Sequence, residues 1–224
     1  MQVLTRFNKF QWATAIAVFF HVIGMFGLLF YDGDFFVNAT STNLLLVLAL
    51  LLWTQDKKNT AFWSYFFICF ITGMAVEIVG VQTSALFGHY GYGDVLGYKV
   101  WGVPLMLGVN WFIVTYCSGM AIHRLLQKFQ SQLTGITKAL IFIIVAAATA
   151  VFYDWLMEPV AIKLGYWQWG GDGSVPVYNY ITWFIVSLLL LTIFHYAHFS
   201  KQNKFAVNLL IVHLLFFGIL RNFL

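Results

Sequence analysis

Glu77 and Asp154 are carboxylic acids set in stretches that are otherwise almost free of charge. Each is followed 11 residues later by a glycine and two ring-bearing residues, Gly88-His89-Tyr90 and Gly165-Tyr166-Trp167. In both segments a Val-Pro pair precedes a tryptophan by the same step, Pro104 to Trp111 and Pro176 to Trp183, and each tryptophan is followed by Phe-Ile-Val. A carboxyl inside an apolar span is expensive and marks a functional site by default. Glu158 lies four residues after Asp154, a spacing that puts both on one helix face. Pro159 then predicts that the helix ends near Glu158, because the residue before a proline is pushed out of helical backbone geometry. Asp94 and Asp172 sit in loops rich in glycine and rings. Carboxyls beside ring faces could donate a proton and let the rings stabilise the positive charge that follows.

The same residues have plainer structural uses. Tyr90, Tyr92, Tyr98, Trp101, Tyr166, Trp167 and Trp169 would also suit an interfacial aromatic belt. Pro104 and Pro176 suit helix starts, where a missing amide hydrogen does no harm. Asn110, Asn179 and Gln82 could bridge helices or orient a carboxyl or a water. His21, His123, His195, His198 and His213 are scattered along the chain. Only the pair 195–198 has metal-like spacing, and it falls far from the acids, so no metal site is expected. Cys69 and Cys117 lie within apolar spans, where small buried hydrophobes are the simplest reading.

What positions these acids must be a membrane bundle. The chain is 61% hydrophobic and only 9% charged, too little polar surface to cover a water-soluble globule. Its net charge of +4 is spread over short loops and offers no patch for nucleic acid. Hydrophobic runs predict seven spans, at about 11–31, 41–54, 61–82, 101–121, 136–155, 176–199 and 205–220. The second and seventh are short. The N-terminal run continues to Tyr31 without a small-x-small cleavage site and reads as the first span.

The expected fold is therefore all-α, a single polytopic bundle over 1–224. With seven spans, Arg6, Lys9, Lys57, Lys58, Arg124, Lys128, Lys138, Lys201 and Lys204 all fall on one side. The opposite side receives Asp32, Asp34 and two long loops carrying only Lys99 and Lys163, with Arg221 as an exception. This bias predicts a cell-membrane protein with a cytoplasmic N-terminus and an outer C-terminus. The acids then lie near the outer face. Recurrence of acid, Gly, Pro and Trp in order, with the flanking spans running the same way, predicts a parallel internal repeat with halves at about 61–121 and 136–199.

These motifs resemble the membrane carotenoid biosynthesis family that includes the hydratases of lycopene-type and bisanhydrobacterioruberin-type carotenoids. The G-x-Y-x-Y and G-V-P elements correspond to Gly88 through Tyr92 and to Gly102-Val103-Pro104. A second stretch corresponds to Asp154 through Ala161, then Gly165, Trp167, Trp169, Val175, Pro176, Asn179, Tyr180 and Trp183. The chain departs from the pattern at Glu158, where the family has Asp, and at Ser174, Tyr180 and Thr182. The similarity covers about 70–185, and its combined motifs are more specific than any one alone.

The resemblance implies addition of water across the terminal C1–C2 double bond of an acyclic carotenoid, giving a tertiary alcohol without a cofactor or metal. Asp154 or Glu158 would be the acid, Glu77 would orient or deprotonate water, and Asp94 is a further candidate. Tyr90, Tyr92, Trp101, Trp167, Trp169, Asn179 and Trp183 would contact the substrate. The implied partners are a membrane-dissolved acyclic carotenoid, water and other enzymes of carotenoid biosynthesis. An end-group cyclase would share the protonation step. A transporter or carotenoid-binding membrane protein would use the acids without a reaction.

Overall fold

The computed structural model describes residues 7–129 and 135–224; Arg6 lies outside them. The described chain is mostly helical: α1 Lys9–Phe30, α2 Gly33–Asn38, α3 Thr40–Thr54, α4 Thr60–Thr83, α5 Met106–Gln127, α6 Gly135–Lys163, α7 Val177–Tyr196 and α8 Lys204–Phe223. Short polar residues start several of these helices. Asn8, Asn59 and Asn203 each accept a hydrogen bond from a backbone amide of the first turn, supplying donors at the helix start with a partner. Five helices, α1, α4, α6, α7 and α8, are long and apolar enough to cross a membrane. Their outward surfaces carry exposed Phe30, Ile71, Ile185 and Leu215, as expected where the solvent is lipid.

The seven expected spans each contain a helix, with two differences. α3 has only 15 residues. The run at 101–121 becomes a helix only from Met106, and it is the bundle's central element. α5 packs against α3, α4, α6, α7 and α8, and most of its residues are buried. That explains why it carries Asn110, Thr115 and Ser118 on a helix that meets protein on nearly every side. The residues before it form a hairpin of β2 Lys99–Val100 and β3 Val103–Pro104. A second ribbon joins β1 Tyr90–Tyr92 to β4 Trp167–Trp169. These short ribbons join a bundle that is mostly helical, as expected.

The basic loops gather at the other end of the bundle. Asn59 donates to the His198 carbonyl at 2.7 Å, Gln55 donates to the Ser200 carbonyl at 2.9 Å, and Lys9 pairs with Asp56 at 2.5 Å.

α6 does not end at Glu158. It continues through Pro159 to Lys163. Proline lacks the amide hydrogen that would satisfy the carbonyl four residues back, here that of Trp155. Arg221 of α8 supplies the replacement: its Nη1 donates to the Trp155 carbonyl oxygen at 3.2 Å, and its guanidinium lies 3.8 Å over the Trp155 ring. The final turns of α6, which carry Glu158 toward the ribbon, are thus braced from the last helix. Arg221→Ala is expected to cost about 1 kcal/mol of stability, read as a lower unfolding temperature in detergent. In a Pro159→Ala background the hydrogen-bond share of the cost should vanish, because an alanine amide reclaims the carbonyl, while the share from stacking on the Trp155 ring remains. An undiminished cost there would disconnect Arg221 from the proline.

Candidate active site

The two motif loops close on each other. β1 and β4 pair antiparallel, with Tyr90 opposite Trp169 and Tyr92 opposite Trp167. Side chains alternate across a strand, so Gly91 and Gln168 are exposed while the four rings turn toward the bundle. The approach is close. A Cβ on Gly93 would lie 2.1 Å from the Gly165 carbonyl oxygen, so this crossing requires glycine.

Beneath the ribbon lie the three acids. Glu77, Asp154 and Glu158 are 3%, 1% and 2% exposed, and together they line a cavity of about 20 Å³, room for about one water. Tyr90, Tyr92, Trp167, Trp169, Asn179 and Trp183 complete much of its wall, and no lysine, arginine or histidine contributes.

The acids differ in their hydrogen bonds. Glu77 Oε2 accepts from the Tyr90 and Tyr92 hydroxyls at 2.6 and 2.7 Å, and Oε1 accepts from Trp111 Nε1 at 2.9 Å. Burial and the neighbouring Glu77 carboxyl push both phenols above their usual range, so they stay O–H donors. Glu158 Oε1 accepts from Trp167 and Trp169 Nε1 at 2.8 and 2.5 Å. Asp154 Oδ2 accepts only from Asn179 Nδ2, at 3.2 Å. Among the described residues, Asp154 Oδ1 and Glu158 Oε2 have no hydrogen-bond partner. They are the carboxyl oxygens free to exchange a proton with something in the cavity.

Trp183 lines the cavity, and Trp111 backs it from behind. Trp111 and Trp183 stack with ring centroids 3.8 Å apart and planes 12° from parallel. Trp111 lies directly on Gly73, where a Cβ would come within 2.6 Å of its ring. The spacing motif marked Trp111, but its bond to Glu77 could not be read from sequence. Asn110, one of the polar residues read from the sequence, also lines the cavity, as do Leu107, Met157 and Phe87, which carry no sequence signal of their own.

Two expected site residues stand apart. Asp94 is exposed and pairs with Lys99 at 2.7 Å. Lys99 holds its carboxyl below the usual range, which makes it a poor proton donor. Trp101 is 73% exposed at the tip of the β2–β3 hairpin, with φ +48°. Its carbonyl accepts from Gln82 Nε2 at 3.0 Å. A tryptophan so placed suits an interfacial anchor. Among the described residues, no three His, Cys, Asp or Glu side chains form a group able to hold a metal ion.

The family described as "Carotenoid biosynthesis protein" matches residues 38–224. The chain belongs to this family. The match runs from the end of α2 through α8 and includes every acid, ring and amide of the cavity. The protein is thus a multi-pass membrane protein of carotenoid biosynthesis, and its buried acids sit within the matched residues. No curated protein and no solved structure matches the chain.

Proposed function

We propose that the protein is a carotenoid hydratase that adds water across the terminal C1–C2 double bond of an acyclic carotenoid. The observation that carries this reading is the water-sized room beside two free carboxyl oxygens, Asp154 Oδ1 and Glu158 Oε2, inside an aromatic wall. Asp154 gives its proton to C2, and the alkene electron pair forms the new C–H bond. C1 is left as a tertiary cation facing the rings of Trp167 and Trp183. Water held by Glu158 Oε2 attacks C1 through oxygen. The proton it loses passes back through Glu158 to restore the acid. The sum is alkene plus water giving a tertiary alcohol, with no change of electron count. Fixed groups in a dry site suit both steps.

Glu77 is better suited to holding the site together, since both its oxygens are already engaged. The internal repeat gives the reason for this division. Tyr90 and Tyr92 stand at the same distances from Glu77 as Trp167 and Trp169 do from Asp154. In the first half the tyrosines bind Glu77. In the second half the tryptophans bind Glu158 instead, whose counterpart in the first half is Val81. Glu158 takes over the tie and leaves Asp154 available. The repeat itself is supported by two further facts. The β1–β4 register maps onto itself when the halves are exchanged, and the stacked pair Trp111–Trp183 are equivalent positions.

Product analysis tests the reaction. Purified protein supplied with an acyclic carotenoid should yield a product heavier by one water. An isomer of unchanged mass would instead make it a cyclase, and an untouched polyene would leave a binding or transport role.

We also propose that the ribbon end faces outward and the basic loops face the cytoplasm, from the positive-inside bias. A cysteine at exposed Ser174 should react with an impermeant thiol reagent in intact cells, while buried Cys69 and Cys117 stay silent. Labelling only from the cytoplasm would invert the orientation.

A further inference from the structure

Tyr153 and Tyr166 are each one residue from a member of the acid site, Asp154 and Trp167. Yet both line a different cavity, of about 380 Å³, bounded by α1, α2, α3, α6 and α8. Neighbouring side chains point about 100° apart on a helix and to opposite faces of a strand. The same two short stretches of chain therefore wall both spaces. The Tyr166 hydroxyl is fixed to Thr40 Oγ1 at 2.6 Å.

The larger cavity is lined mainly by apolar side chains such as Phe20, Phe36 and Leu46, and its size is that of a small-molecule pocket. Several of its residues do not fit an apolar wall: Thr42, Asn43, whose buried Oδ1 has no partner among the described residues, and two histidines. His21 and His213 are each 5% exposed, with ring centroids 5.0 Å apart. His21 Nδ1 lies 2.7 Å from the Ala17 carbonyl oxygen. That oxygen can only accept, so Nδ1 carries the hydrogen and Nε2 of the neutral ring is an acceptor. His213 has no hydrogen-bond partner among the described residues. A buried polar group without a partner is costly, and this one borders the cavity beside an imidazole acceptor. A ligand with a long apolar body and one hydroxyl would satisfy both rings. The hydroxyl would donate to His21 Nε2 and accept from His213.

We propose that this cavity binds the hydroxylated end of an acyclic carotenoid, with His21 and His213 holding the hydroxyl. The origin of that hydroxyl rests on the hydratase reading: the tertiary alcohol formed at the acids is received on the far side of the Tyr153–Tyr166 wall. The cavity is thus a product site that clears the acid site for the next water.

Binding can be measured without turnover. The protein in lipid nanodiscs is titrated with an acyclic carotenoid bearing one tertiary hydroxyl end, and separately with its non-hydroxylated parent. Energy transfer from tryptophan to the polyene reports binding. Wild type should bind the alcohol about 3- to 10-fold more tightly than the parent, the range of one net hydrogen bond. His213→Phe keeps the ring shape and should erase that preference. Gly24 lines the cavity, and a Cβ there meets nothing within 4 Å. Gly24→Leu should therefore fold, fill the space and weaken both ligands at least about 10-fold. Unchanged affinity in Gly24→Leu, or a preference that survives His213→Phe or is missing from wild type, would overturn the proposal. A protein that forms no alcohol yet shows the expected pattern with supplied alcohol keeps this site and loses the hydratase reading.

Discussion

Asp154→Asn protein is expected to fold, insert and bind polyene, yet form product slower than wild type by on the order of 10³-fold or more, near the upper part of the range for a lost general acid. Asparagine keeps the size of the side chain and its contact with Asn179, but it has no proton to give. Glu158→Gln should lose about 10²-fold, because the amide oxygen can still accept from the Trp167 and Trp169 indoles while the other arm no longer accepts a proton from water. The measurement is direct: hydroxylated carotenoid formed per molecule of purified, folded protein. Near-wild-type turnover by either variant would remove that residue from the proton path. Equal losses in both would mean that the two carboxyls act as one unit and that the donor is not identified by substitution.

The acids themselves were legible in the sequence because an apolar chain has no cheap reason to bury a carboxyl. The repeated spacing from acid to rings to proline and tryptophan predicted which loops belong together. What the sequence withheld depends on partners far away in the chain. β1 and β4 are three residues each, too short for alternation to announce a strand, and each finds its partner in the other half. Pro159 predicted a helix end from purely local sterics, whereas α6 continues because Arg221 satisfies the carbonyl that the proline leaves bare. The apolar run at 101–105 resembles the start of a span, yet it turns as a hairpin through Trp101 and Gly102, both at positive φ. Asp94 reads as one of the acids because it sits in a motif loop. The nearby signal against that reading was Lys99, five residues on, which holds it at the surface.

Composition could not rank the three buried carboxyls either. Glu77 and Glu158 are the same residue type in similar aromatic settings. The distinction comes from donor count: three on Glu77, two on one oxygen of Glu158, one on Asp154. Such counts follow from tertiary packing, in which Trp111 comes from α5 and the tyrosines from β1. A sequence can place an acid near rings without saying which ring hydrogens reach it.

Glu77 should accordingly fail in a different way from Asp154. Glu77→Ala leaves the Tyr92 hydroxyl and the indole hydrogen of Trp111 without their buried acceptor, leaves the Tyr90 hydroxyl only the Glu77 backbone carbonyl at 3.4 Å, and opens a void among them. Each unsatisfied donor costs about 1–3 kcal/mol, so a total near 3–5 kcal/mol is expected, large for a single substitution. The loss should appear as a sharply lower unfolding temperature and weaker near-ultraviolet circular dichroism from the Trp111–Trp183 stack. Glu77→Gln is expected to be far milder. Its amide oxygen can face Trp111, which can only donate, and its amide hydrogens can face the tyrosine hydroxyls, which can rotate to accept. Stability should fall by about 1 kcal/mol and turnover by less than about 10-fold. The contrast between the two variants separates a group that ties the ribbon to α4 and α5 from one that handles protons. If Glu77→Gln keeps its unfolding temperature but loses as much turnover as Asp154→Asn, Glu77 takes part in the chemistry, and the division of labour between the two halves of the chain is wrong.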